Sequence, residues 1–112
     1  MKYSIIILSA IIAFGCASKN FLTPTQTDVD RMSAQIDGLS LADLTEGKAL
    51  YDAHCGSCHP KKAPSSKTEK EWRKIVPYMS NKVNKKKGLV IGEDQQEKIL
   101  RYVLTMREAD VR

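Results

Sequence analysis

The chain is poor in aromatic residues, at 6% of its 112 positions, which is thin material for a self-sufficient core at this size. A small domain so provisioned draws on a disulfide, a metal or a cofactor. Three cysteines cannot all pair within one chain, so a disulfide framework is excluded as the general solution. There is no glycine-rich phosphate loop, no paired-carboxylate cluster and no internal repeat, which sets aside nucleotide-binding and repeat architectures. No stretch reads convincingly as a strand. Nor does any apolar run reach the about 20 residues that a membrane span requires. One small helical domain is the ceiling.

What is present begins with a short apolar segment, Ile5 to Phe14 with only Ser9 interrupting, behind Met1-Lys2-Tyr3. One basic residue followed by so brief an apolar core has the build of a secretory signal. It ends Ala13-Phe14-Gly15-Cys16, which resembles a bacterial lipobox although leucine is more usual where Ala13 stands. The resemblance implies a signal peptide over residues 1–15, cleavage before Cys16, and diacylglycerol on its sulfur. The protein would then be lipid-anchored in the cell envelope, facing the periplasm. Ordinary cleavage near Cys16, leaving a free thiol, is the other reading. Residues 16–26 are polar, proline-containing and aperiodic and read as a lipidated tether; ten such residues span at most about 35 Å. The folded domain is expected over residues 27–112.

Within it, helix signals recur. A first helix is expected from Thr27 or Asp28 to Gly38, with Val29, Met32 and Ile36 as a narrow apolar stripe. Ser40 as N-cap with Asp43 at N3, and Leu39 with Leu44 as a hydrophobic staple, open a second helix running into His54-Cys55. Thr68 and Glu71 form a capping box for a third, with Trp72, Ile75, Val76 and Met79 on one face and Pro77 expected to kink its last turn. Ser80 to Gly88 reads as a lysine-rich loop. The last helix is expected from about Glu93 to Glu108, with Ile99, Tyr102, Val103 and Met106 inward.

Cys55-Gly56-Ser57-Cys58-His59 carries the chemistry. C-x-x-C-H is the attachment signature of c-type haem: two thiols add to the porphyrin vinyl groups, and the adjoining His59 supplies the proximal iron ligand. A redox dithiol would want a βαβ context, which is missing. A zinc site would find only His54 as a further non-carboxylate ligand once Cys16 carries lipid. His54, beside Cys55, reads as exposed and non-coordinating.

From Leu44 to Met106 the sequence resembles a small monohaem class I cytochrome c. Gly47 and Tyr51 match the glycine-aromatic pair of that family's N-terminal helix, and Ile99 and Tyr102 the aliphatic-aromatic pair of its C-terminal helix. The resemblance implies an all-α fold of about four helices around one haem c, held through Cys55 and Cys58, with the two terminal helices crossing at the glycine. Methionine is the usual sixth ligand in electron-transfer members. Met32 precedes the motif and Met106 belongs to a core stripe, so both read as packing residues. Met79 follows the motif on the Trp72 face, like the W-x6-M segment of relatives, and is the expected distal ligand, core packing being its other reading. Trp72 is expected to wall the haem pocket, or simply to pack. Pro64 resembles the proline whose carbonyl orients the proximal imidazole.

The formal charge is +5, and between Lys61 and Lys87 stand ten basic residues against two acidic ones. Such a cluster beside the distal ligand suits an acidic redox partner, or offsets the haem propionates. Nucleic acid does not fit an exported chain. The expectation is a monomeric, membrane-anchored one-electron carrier that is not an enzyme. A haem protein with a labile distal site, binding small gases or acting as a weak peroxidase, is the alternative, as is a fixed subunit of a larger redox complex.

Overall fold

The computed structural model describes residues 21–56 and 60–109. The segment 1–15, Cys16 as the expected lipidation residue, and Cys58 and His59 as expected haem residues all lie outside the described residues. Among the described residues the chain is all-helical, with no strand and with no helix long and apolar enough to cross a membrane. The elements are α1 (Gln26–Met32), α2 (Leu41–His54), a single 3-10 turn (Pro64–Ser66), α3 (Glu69–Lys87) and α4 (Glu93–Ala109).

Two helix starts follow the local chemistry expected of them. The Asp43 amide donates to the Ser40 hydroxyl at 3.1 Å. At α3 the capping box closes both ways, Glu71 N to Thr68 Oγ1 at 3.2 Å and Thr68 N to Glu71 Oε2 at 3.0 Å. Leu44 is fully buried, with Leu39 half-buried before it.

The first helix is shorter than its apolar stripe suggests. It ends at Met32, whose carbonyl then accepts from both Gln35 and Ile36 as the chain turns toward Gly38. The Ser33 hydroxyl bonds back to the Asp30 carbonyl, competing with the helical ladder where the helix stops. Gly38 does end the excursion, at φ +67°. Of the stretch read as a tether, the part described packs on the domain. Pro24 is buried, Phe21 lies against the core, and Thr25 caps α1.

The expected loop from Ser80 to Gly88 is instead helix up to Lys87. Ser80 and Val83 are buried on the face that Trp72 and Val76 began, so tertiary packing extends one apolar stripe through the lysine-rich segment. Lys85, Lys86 and Lys87 also complement the negative end of the helix dipole. Pro77 therefore sits mid-helix, exposed, where the carbonyl deprived of its donor belongs to the likewise exposed Arg73.

α4 is the hub, packing on α1, α2, α3 and the 3-10 turn. Every residue from Tyr102 to Met106 is buried, as a helix covered on several sides requires. Its closest approach is to α2. A Cβ built on Gly47 would overlap the Lys98 carbonyl oxygen and lie 3.0 Å from the Tyr102 Cβ, so only glycine permits this crossing. Met32 and Met106 are both buried core residues.

Candidate functional site

Four of the five aromatic residues among the described residues converge. The Tyr51 ring lies 6.2 Å from Trp72 edge-on, 5.6 Å from Tyr102 and 6.2 Å from Phe21, measured between centroids. Tyr51 and Trp72 then form part of the wall of a cavity of about 250 Å³ between the end of α2 and α3. Cys55, Ile75, Val76, Tyr78 and Met79 complete its largely apolar lining, with Lys62 and Lys67 contributing charge. Three expected site residues, Cys55, Trp72 and Met79, are thereby brought to one space.

Their positions follow from helix geometry. Trp72, Ile75, Val76 and Met79 stand at i, i+3, i+4 and i+7 on α3 and so share its inward face. Cys55 follows α2 directly, its amide donating to the Tyr51 carbonyl at 3.0 Å. Burial pushes the Cys55 thiol up to about 11, with the Asp52 charge adding and Lys61 opposing. At neutral pH this sulfur is a protonated thiol.

The loop from Pro60 to Thr68 is held by donors from three helices. Tyr51 Oη donates to the Lys62 carbonyl, Trp72 Nε1 to the Pro64 carbonyl at 2.8 Å, and Arg107 Nε to the Lys67 carbonyl at 2.8 Å. Pro64 is buried, and its carbonyl is engaged by the indole; a carbonyl has a second lone pair. At the start of the loop, Lys61 reaches Asp52 at 2.9 Å and lies 5.6 Å above the Phe21 ring. Lys48 meets the same carboxylate at 2.6 Å. Burial raises the Asp52 carboxyl, but hydrogen bonds from Lys48 and Lys61 outweigh it and leave it below its ordinary value. The two ends of the motif loop are fixed by these contacts.

His54 is half-buried at the end of α2, less exposed than its position beside Cys55 suggested. Tyr78 is a cavity residue that sequence reasoning did not single out, and Lys62 and Lys67, read only as part of the basic cluster, join it there. For Tyr78 a signal existed, since it adjoins Met79 and stands three positions after Ile75. Lys62 and Lys67 carry no local signal, because only the folded loop sets them at the cavity.

Compared with known protein families, with curated proteins and with solved structures, the chain matches none.

Proposed function

We propose that the chain is a monohaem c-type cytochrome of class I character, a one-electron carrier tethered to a membrane in the cell envelope through lipid on Cys16. One observation carries the reading. The C-x-x-C-H motif opens with a cysteine on the wall of an apolar cavity that Trp72 and Met79 also line. The residues present fit the group. Apolar walls from Tyr51, Ile75 and Val76 suit a porphyrin face, Cys55 lines the same cavity, and Lys62 and Lys67 offer positive charge to propionates.

When bound, the haem supplies a reversible ferric–ferrous couple. Cys55 and Cys58 would hold it covalently, His59 and Met79 would ligate its iron, and the remaining cavity residues would exclude water. Trp72 walls the pocket and Pro64 closes the loop on the motif side. The basic surface nearest the cavity, from Lys61 to Lys74, would receive an acidic redox partner of a monomeric carrier. With the iron held by two protein ligands, no substrate chemistry is expected, and the reading is an electron carrier rather than an enzyme.

The test is optical spectroscopy of the haem-loaded chain, oxidised and reduced, followed by carbon monoxide. The expected ferric spectrum shows a methionine-sulfur to iron charge-transfer band that Met79→Ala abolishes. Rapid carbon monoxide binding by the reduced wild type at neutral pH overturns the closed-site carrier in favour of a small-ligand haem protein.

A further inference from the structure

Beyond the cavity, the turn joining α3 to α4 has an unusual surface. Leu89 is 85% exposed and Val90 39% exposed, and only Gly88 separates them from Lys85, Lys86 and Lys87. Such a pair is costly to leave in water, and here it is held outward by a built turn. Asn84 Oδ1 accepts from the amides of Val90 (3.1 Å) and Ile91 (2.9 Å), while its Nδ2 donates to the Ile91 carbonyl at 2.8 Å. Gly88 reverses the chain at φ +81°, and Ile91 is buried in the core. With both sides of the turn anchored, Leu89 and Val90 project from the protein.

We infer that this tip docks on an anionic lipid bilayer, Leu89 and Val90 entering the interface while the lysines of the last turns of α3 meet the headgroups. Charge complementarity selects that occupant. No acidic residue stands between Lys82 and Ile91, and of the first ones beyond, Glu93 and Asp94, the latter is paired with Lys98 at 3.2 Å. The shape selects it too. A convex leucine needs a medium that closes around it, and a bilayer does so without a matching pocket. The tip lies apart from the haem cavity, since Lys87 is eight positions beyond Met79, about 12 Å along the helix axis. The inference is independent of the haem reading and of acylation at Cys16.

The test is methyl NMR of the full chain with bicelles that carry a spin-labelled lipid. Broadening is compared between pure phosphatidylcholine and phosphatidylcholine containing phosphatidylglycerol. The reference is the Ala34 methyl, exposed beside α1 near the far end of α4. The expected result is strong broadening of the Leu89 and Val90 methyls on the anionic bicelles, several-fold less on the neutral ones, and little at Ala34. Lys85→Glu is expected to reduce the broadening several-fold with an unchanged far-ultraviolet circular dichroism spectrum. Equal broadening on both lipids, or broadening at Ala34 equal to that at Leu89, overturns the proposal. So does the absence of broadening on either bicelle, which would assign the tip to a protein partner.

Discussion

The indole nitrogen of Trp72 donates to the carbonyl oxygen of Pro64 at 2.8 Å, inside the protein and eight residues apart in sequence. That bond ties the first turns of α3 to the loop behind the C-x-x-C-H motif, so one side chain both walls the cavity and fixes the loop beside it. Trp72→Phe keeps an aromatic wall but removes the donor, leaving a buried carbonyl short of a partner. The expected loss is about 1–3 kcal/mol of unfolding free energy. Urea denaturation followed by circular dichroism measures it, and an unchanged midpoint would show that the bond contributes nothing.

Gly47→Ala places a methyl group against the Lys98 carbonyl oxygen. Alanine gains about 1 kcal/mol of helix propensity over glycine. Backbone overlap between two packed helices outweighs that gain, and a net destabilisation of about 1–3 kcal/mol is expected from the forced separation of α2 and α4. A thermal melt decides the sign; a raised midpoint would mean that the crossing is looser than described.

Pro77→Ala is expected to act in the opposite direction. Pro77 is exposed within α3 and leaves one ladder bond unmade, so alanine restores a donor without touching the core. Stabilisation of up to about 3 kcal/mol should appear as a higher melting temperature. If Pro77 instead sets a bend that Met79 needs, the melting temperature rises while the charge-transfer band of the haem-loaded protein weakens. That pair of readings separates a helix defect from a positioning role.

The clasp between α1 and α4 is expected to be acid-sensitive. Arg31 donates to the buried Asp28 carboxylate at 2.7 Å and to the Thr105 carbonyl of α4 at 2.9 Å. Burial raises the Asp28 carboxyl, yet the bonds from Arg31 and Thr25 together hold it below its ordinary value of 3.8. A carboxyl whose folded pKa is depressed contributes fully above its unfolded pKa, and that contribution fades as pH falls through the folded value. Stability curves between neutral pH and pH 2 should therefore fall more steeply below pH 4 in the wild type than in Asp28→Asn, which should also be less stable at pH 7. Parallel curves would refute the assignment.

Much of this molecule was legible because its information is local. Ser40 with Asp43, and Thr68 with Glu71, announce helix starts that depend on side chains three residues apart. The 3.6-residue spacing of Ile99, Tyr102, Val103 and Met106 marks the buried face of α4 in advance, and Gly47 marks where that helix meets α2. Where packing competed with local preference, the sequence misled. Ser80 to Gly88 looked like a lysine-rich loop, but burial of Ser80 and Val83 carried the helix through it to Lys87. Val29, Met32 and Ile36 looked like one continuous stripe, but the helix closed at Met32.

By itself the sequence determined the helical class, the caps of α2 and α3 and the C-x-x-C-H motif, because each is written in neighbouring residues, while the glycine at the crossing was read through the resemblance. Only the tertiary structure decided that Cys55, Trp72 and Met79 share a cavity. It alone showed Tyr51, Trp72 and Arg107 gripping one loop by three backbone carbonyls. It also revealed Asn84 bracing the turn on which Leu89 and Val90 stand exposed. The first two join groups from different helices, set by how α2, α3 and α4 pack. The scarcity of aromatic residues takes its meaning there as well, for Phe21, Tyr51, Trp72 and Tyr102 are gathered into a single cluster, with Tyr51 and Trp72 facing the cavity.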